Sequence, residues 1–410
     1  MPPDVHSFHP LVYLGLLLLA GFAGGRVAKL VNLPRVSGYI LAGMVLSPAL
    51  LGVLPEEMVR EDLSLVTEIA LGIIAFSIGG ALQLKMLRRL GKQILWITVT
   101  QTMAVFLLVS GIVFAAFFLL GGGPGSTGGL FALAVILGSI SAATAPAPIL
   151  AVAHEYRAKG PLTTILLGVV TLDDGVTILL FSIAGGVAKG IAGADVSPFG
   201  SMLGRPLLEI AISLLIGGSG GMMVRLIAPA ITRAEALLGV ALGAVFLVSG
   251  LSVTFHASGL LANMMLGFTV ANAVRRPEQW FRAVEGIEEP VLSMFFVLAG
   301  AHLRLDFLAA AGSLALLLIL GRSAGKILGT YAGARLSGAT EAVRKYLPLG
   351  LLPQAGVSLG LVLAAKDLVP DPRVAEMMVN AVLGSVIVNE LVSPALVRFS
   401  LTRAGETKRG

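Results

Sequence analysis

Long apolar runs separated by short polar loops make up almost the whole chain. A helix that crosses a membrane needs about 20 mainly apolar residues, and windows of this kind occur thirteen times. The pattern therefore predicts an all-α membrane protein that forms one unit over residues 1–410, without a separate soluble domain. The approximate cores of the predicted spans are 11–31, 36–54, 64–84, 94–120, 129–153, 163–188, 205–227, 236–254, 258–274, 287–303, 310–336, 346–366 and 376–399.

The spacing of these spans repeats along the chain. Spans eight to thirteen follow one another at nearly the same intervals as spans one to six, so that one nearly constant displacement relates the two sets. Because a displacement of seven spans is odd, the second copy would cross the membrane in the opposite sense. We predict an inverted repeat, which is common among secondary transporters.

Composition supports a membrane protein and excludes several other classes. Hydrophobic residues make up 56% of the chain and charged residues 13%, and the mean hydropathy is +0.93. There is no cysteine, which excludes disulfides, thiolate metal sites and thiol redox chemistry. The basic residues are scattered over short loops, so nucleic acid is not an expected partner.

Lysine and arginine are distributed unevenly between the two sides of the predicted bundle. With the N-terminus outside, loops on the cytoplasmic side hold twenty-one of the 29 basic residues. Since cytoplasmic loops retain positive charge, we predict an inner (plasma) membrane protein with its N-terminus outside and its C-terminus in the cytoplasm. The outer loops hold Arg60, Lys189, Arg205, Arg304, Lys366 and Arg373.

Five ionisable residues lie far from either end of a predicted span: Asp173, Asp174, Arg322, Lys326 and Glu390. Such residues are costly in a membrane and are functional by default. Neighbouring helix residues point about 100° apart, so Lys326 could neutralise one aspartate and leave the other facing a water-filled cavity. Arg322 and Glu390 are expected to form a structural ion pair. The alternative is a cluster that only fixes helix packing.

Two predicted spans are interrupted at corresponding places in the two halves. The fifth contains "SAATAPAPIL", with Pro146 and Pro148, and the twelfth contains "GLLPQAGVSL", with Pro353 and Gly356. Proline removes a backbone donor and frees a carbonyl, which is tolerated at membrane depth only beside protein or a cavity. Matching helix breaks of this kind indicate the ion site of a transporter.

A buried acid near such breaks predicts competition between two ions. Desolvation and a like-charged neighbour favour the protonated carboxyl, whereas a bound cation favours the ionised one. Thr144 and Gln354 could add oxygen ligands. Proton and cation would then exclude each other from one site, which is the chemistry of an antiporter.

Several segments resemble the monovalent cation:proton antiporter superfamily, in the paired-aspartate branch of bacterial sodium/proton antiporters and potassium-efflux relatives. The resemblance spans nearly the whole chain. The matching segments are "GYILAGMVLSP", "TAPAP", "TLDDGV", "FFVLAGAHL", "GRSAGKILG", "GLLPQAGVSLGL" and "VNELVSP".

This resemblance implies the sodium/proton antiporter fold, with two crossed, discontinuous helices. A core ion-translocation domain over 94–188 and 310–399 would move like an elevator past a dimerisation and scaffold domain over 11–84 and 205–303. The chain lacks the long C-terminal nucleotide-binding domain of the potassium-efflux relatives, so no soluble regulatory domain is expected.

The resemblance also implies roles for individual residues. Asp174 would bind the cation and carry the proton, while Asp173 would form a salt bridge with Lys326. Paired aspartates resemble the electrogenic members, which exchange two protons for one sodium. Ala145 replaces the serine or aspartate often found after the threonine, which shifts cation coordination toward Thr144 and backbone carbonyls.

The sequence thus predicts a homodimeric transporter, not an enzyme, that needs no cofactor and exchanges sodium or another monovalent cation for protons. Potassium/proton antiport is an alternative. A sodium-coupled symporter of an organic anion would require a larger polar or aromatic pocket beside the breaks, and a channel would require repeated rings of carbonyls or charges.

Overall fold

The computed structural model describes residues 8–48, 50–55, 63–82, 84–120, 126–191, 199–231, 233–302, 312–354, 356–366, 368–369 and 371–407. Arg60 and Arg304 of the predicted outer loops lie outside the described residues, as do residues 303 and 310 of the predicted domain limits. Every regular element in the described ranges is helical. This agrees with the predicted all-α class.

Fifteen α-helices and one short 3-10 helix, Ala228–Ala230, are present in the described residues. The α-helices are α1 Pro10–Leu30, α2 Arg35–Leu46, α3 Ser64–Ala81, α4 Leu84–Leu120, α5 Thr127–Ala142, α6 Pro146–Glu155, α7 Pro161–Ile191, α8 Phe199–Ile227, α9 Ala234–Thr254, α10 Gly259–Ala273, α11 Glu278–His302, α12 Gly312–Leu336, α13 Glu341–Gly350, α14 Gly356–Lys366 and α15 Pro372–Arg403.

Eight of the described helical segments are long and apolar enough to cross a membrane. Four shorter apolar helices accompany them. These segments fit a multi-pass membrane protein, whereas the count of thirteen spans stays a prediction. The eight are Pro10–Leu30, Arg88–Leu119, Thr127–Glu155, Pro161–Ala188, Leu207–Ala230, Glu235–Thr254, Gly312–Leu336 and Pro372–Arg403.

The chain divides into two compact units, each with its own apolar core. In the second unit α5 packs on α7, and α15 packs on α12, α13 and α14. The helix breaks and the five ionisable residues at depth all belong to this second unit. The first unit comprises Met1–Arg89, Leu150–Glu155 and Leu208–Arg304, and the second comprises Leu90–Ile149, Tyr156–Leu207 and Leu305–Gly410.

Two helix crossings in the first unit are built in the same way. In each, a glycine of either helix lies against a backbone carbonyl of the other, so an added β-carbon would overlap that carbonyl. The contacts are Gly43 with Val297 and Gly300 with Ile40 between α2 and α11, and Gly267 with Phe76 and Gly79 with Met264 between α3 and α10.

Glycines also let α12 approach α4 closely in the second unit. A β-carbon on Gly325 would lie 2.6 Å from Val105 Cα, and one on Gly329 would lie 2.6 Å from Gln101 Cα. A larger residue at either position would force the helices apart. At this close approach Thr100 Oγ1 of α4 donates a hydrogen bond to Gly329 O of α12 at 2.8 Å.

Glu406 caps the start of α7, the helix that contains both aspartates. Its carboxylate accepts hydrogen bonds from Leu162 N, Thr163 N and Thr163 Oγ1, each at 2.7 Å. These backbone N–H groups have no acceptor within their own helix. The negative charge of the acid also interacts favourably with the positive N-terminal end of the helix dipole.

We expect Glu406→Ala to destabilise the protein by about 1 to 2 kcal/mol, because two helix-terminal donors lose their acceptor. Thermal unfolding of the detergent-solubilised protein would measure the loss as a lower melting temperature. Glu376→Ala, at an exposed acid of α15, is the matched control and should leave the melting temperature unchanged. Equal behaviour of the two variants would contradict the cap.

Candidate ion-binding site

Two helix breaks meet in the second unit. The first break lies between the end of α5 at Ala142 and the start of α6 at Pro146, and the second follows the end of α13 at Gly350. Ala145 N donates a hydrogen bond to Pro353 O at 3.0 Å, which ties the two unwound segments together. Pro148 lies in the first turn of α6, and Gly356 is the first residue of α14.

Two cations of α12 bind the carbonyls that these breaks set free. Arg322 and Lys326 lie one turn apart and are fully buried. Positive charge is favoured at helix C-termini, where carbonyls have no partner within the helix. Arg322 donates to Leu352 O at 2.7 Å and to Ala143 O and Pro353 O at 2.9 Å, and Lys326 Nζ donates to Ala142 O at 2.6 Å.

Asp173 is held by four donors and is completely buried. Its Oδ2 lies 3.1 Å from Lys326 Nζ and also accepts from Thr144 Oγ1. Its Oδ1 accepts from Gln101 Nε2 and from Thr102 Oγ1 at 2.8 Å. The ammonium partner and the three further hydrogen bonds offset the cost of burying this side chain.

Thr144 is committed to this same cluster. Its hydroxyl donates to Asp173 and accepts from Lys326 Nζ at 2.6 Å. The side chain therefore joins the first helix break to α7 and α12. Only one lone pair of its oxygen remains for a further ligand.

Asp174 differs sharply from its neighbour. The residue is half-buried, and its Oδ1 is buried without a hydrogen-bond partner among the described residues. Because Lys326 is already bound to Asp173, Thr144 and Ala142, Asp174 is the aspartate of the pair that retains capacity for a cation or a proton. No group of three or more His, Asp or Glu side chains that could hold a resident metal occurs in the described ranges.

The predicted ion pair between Arg322 and Glu390 is not formed between these two described residues. Arg322 instead directs both of its terminal nitrogens to break carbonyls. Glu390 is 5% exposed, and its Oε1 has no hydrogen-bond partner in the part of the chain that the structure describes. No pattern in the sequence measures how strongly unwound backbone competes for the guanidinium.

Gln354 belongs to a buried polar network at the second break. Its Oε1 accepts from Ser385 Oγ at 3.1 Å and from Asn389 Nδ2 at 3.0 Å, and its Nε2 donates to Ser358 Oγ at 3.2 Å. The side-chain oxygen of Gln354, which was predicted as a cation ligand, is thus already occupied by hydrogen bonds within the protein. The network ties α14 and α15 to the second break.

Gln101, Thr102 and Asn389 were not among the predicted site residues. Each lies inside a mainly apolar span, in "TVTQTMAVF" for the first two and in "SVIVNELV" for the third. A search for uncharged polar side chains at membrane depth, besides charged ones, would have selected them, because an amide or hydroxyl in hydrocarbon also requires a partner.

The chain is similar to a family of membrane transport proteins and to individual antiporters. A family model described as "Sodium/hydrogen exchanger, transmembrane" matches residues 14–399. The chain is 24% identical to "Probable Na(+)/H(+) antiporter 2" of Methanocaldococcus jannaschii, over 78% of this chain and 76% of that protein. It is 25% identical to "High-affinity Na(+)/H(+) antiporter NhaS3" of Synechocystis sp., over 95% of this chain and 90% of that protein.

The fold is also similar to that of solved structures. Two structures of the sodium proton antiporter MjNhaP1 from Methanocaldococcus jannaschii match with TM-scores of 0.70 and 0.74, each at 18% sequence identity. The first match covers 96% of this chain and 98% of the other, and the second covers 98% and 99%. The predicted antiporter fold is confirmed by this likeness.

Proposed function

The chain belongs to the sodium/hydrogen exchanger family, and from this premise we propose that it exchanges sodium for protons across the membrane, with Asp174 as the ion-binding acid. The observation on which this assignment depends is the contrast between the paired aspartates. Asp173 has four donors, whereas the buried Oδ1 of Asp174 has no partner among the described residues. An acid in this state gains either from a proton or from a cation.

Exclusion of one ion by the other would couple the two fluxes. A proton on Asp174 removes the charge that holds a cation, and a bound cation favours loss of the proton. Asp173, Lys326 and the side chains bound to them would form a fixed frame around Asp174 while that acid exchanges a proton for a cation. The names of the two relatives, both Na(+)/H(+) antiporters, support sodium, and potassium is the alternative cation.

We propose that the second unit is the core translocation domain and the first unit the scaffold and dimerisation domain of a homodimer. The two helix breaks, the fully buried Arg322 and Lys326, and the acids Asp174 and Glu390 all belong to the second unit. Elevator-type movement of the core would expose Asp174 to each side in turn.

The glycine crossings support an inverted repeat. Ile40 and Gly43 of α2 stand in the same order and at the same spacing as Met264 and Gly267 of α10. The carbonyl residue and glycine of α3, Phe76 and Gly79, are spaced in this way too, as are those of α11. Exchange of α2 with α10 and of α3 with α11 therefore converts one crossing into the other, as the displacement between the predicted spans requires.

Purified protein in liposomes that contain a pH-sensitive dye would test the proposed exchange. We expect external sodium to drive proton efflux from the liposomes, because sodium and proton share Asp174. Lithium and potassium, added separately, would define the selectivity. Absence of a proton signal with all three cations would reject antiport, and a signal with potassium alone would replace sodium by potassium.

A further inference from the structure

Glu390 is a buried acid that the proposed exchange at Asp174 does not use. It lies in α15, is 5% exposed, and has an Oε1 atom without a hydrogen-bond partner among the described residues. An ionised carboxylate in such a place loses several kcal/mol of hydration that nothing replaces. Its retention at membrane depth indicates a ligand that this acid takes up.

No basic side chain of the described residues forms an ion pair with Glu390. Of the helices packed on α15, α5 contains no charged residue. Arg322 and Lys326 of α12 are bound to break carbonyls and to Asp173. The other charged residues on these helices are Arg335 of α12, Glu341, Arg344 and Lys345 of α13, and Lys366 of α14.

Glu390 also corresponds in position to Asp174. The pair Asp173–Asp174 follows the start of the sixth predicted span, and the pair Asn389–Glu390 follows the start of the thirteenth, at distances that differ by less than one helical turn. The first member of each pair binds a polar side chain of a helix break. Asp173 accepts from Thr144 of the first break, and Asn389 donates to Gln354 of the second.

The second members share a different property. Asp174 Oδ1 and Glu390 Oε1 are both buried carboxylate oxygens without a partner in the described residues. Each pair thus contains one residue whose side chain is hydrogen-bonded to a helix break and one adjoining acid with a buried oxygen that has no partner among the described residues.

We propose that Glu390 is a second proton-binding site of the transporter. A proton needs only one oxygen, whereas a metal cation needs several, and the oxygen of Gln354, which binds the adjacent residue Asn389, already accepts two hydrogen bonds. Binding of a proton makes the carboxyl neutral and removes the cost of burying its charge.

The consequence rests on the proposed exchange at Asp174. Arg322 binds carbonyls of both breaks, and the breaks are joined by the Ala145–Pro353 hydrogen bond. A cation at Asp174 adds positive charge to this connected frame and favours the ionised form of Glu390. Each cycle would then release one proton from Asp174 and one from Glu390 for one cation taken up.

Infrared difference spectra recorded during a pH titration detect the proton directly. We expect protonated-carboxyl bands from both Asp174 and Glu390 in the purified wild type, loss of the Glu390 band alone in Glu390→Gln, and retention of both bands in the control Glu376→Gln, which changes an exposed acid of the same helix. Glu390→Asp keeps an acid and should shift the Glu390 band. Identical bands in all variants would overturn the proposal.

Coupling is measured by finding the pH gradient that stops flux against a fixed sodium gradient in liposomes held at zero membrane potential. We expect two protons per cation in the wild type and in Glu376→Gln, and one in Glu390→Gln. Unchanged coupling in Glu390→Gln would overturn the proposal, also when sodium affinity falls. If the wild type does not exchange ions, the proposed exchange fails, and the infrared result still decides whether Glu390 binds a proton.

Discussion

Replacing Asp174 by asparagine is expected to reduce cation/proton exchange to the rate of protein-free liposomes. Asparagine keeps the size of the side chain but has no negative charge to hold a cation and no carboxylate to take up a proton. Both ions therefore lose the site that they share. Sodium-driven dye signals in proteoliposomes, measured at several sodium concentrations, would separate this loss from a weaker affinity.

The same variant should remain as stable as the wild type. Asp174 Oδ1 has no hydrogen-bond partner in the described residues, so its replacement breaks no contact at that atom, while the four donors of Asp173 stay in place. Glu376→Gln, at an exposed acid, serves as the control for both measurements. Exchange at a near-normal rate in Asp174→Asn would disprove the role of this acid.

The placement of the charged site could be predicted because charge at membrane depth is rare. Asp173 and Lys326 stand out in apolar spans, and the structure places Lys326 Nζ 3.1 Å from Asp173 Oδ2. Proline at positions 146 and 353 likewise indicated where the helices are interrupted. A charge or a proline at membrane depth can be accommodated in only a few ways, so its position in the sequence predicts its surroundings in the structure.

The partners of Arg322 could not be predicted in the same way. The sequence shows that a guanidinium at depth requires acceptors, and Glu390 was the only acid at depth besides the aspartate pair. The structure uses backbone carbonyls instead, because the ends of α5 and α13 converge on α12. Backbone acceptors depend on where two distant helices meet, and no single side chain marks that place.

Asp173→Asn is expected to destabilise the protein by about 3 to 5 kcal/mol, because removing one member of a buried ion pair leaves an uncompensated charge. Lys326 would keep its ammonium in a site with no exposure to solvent. Thr144 and Gln101 would also face a weaker acceptor. Thermal unfolding in detergent should show a much larger loss for Asp173→Asn than for Asp174→Asn, and equal melting temperatures would count against this pair.

A double variant separates the ion pair from the remaining contacts. In Asp173→Asn combined with Lys326→Met, the unpaired ammonium is absent, so we expect the double variant to be more stable than Asp173→Asn alone. Residues in contact show such non-additive effects. If the losses of stability in the single variants Asp173→Asn and Lys326→Met simply added in the double variant, the 3.1 Å contact between Lys326 and Asp173 would contribute no coupling energy. The frame proposed around Asp174 would then have to depend on Gln101, Thr102 and Thr144 instead.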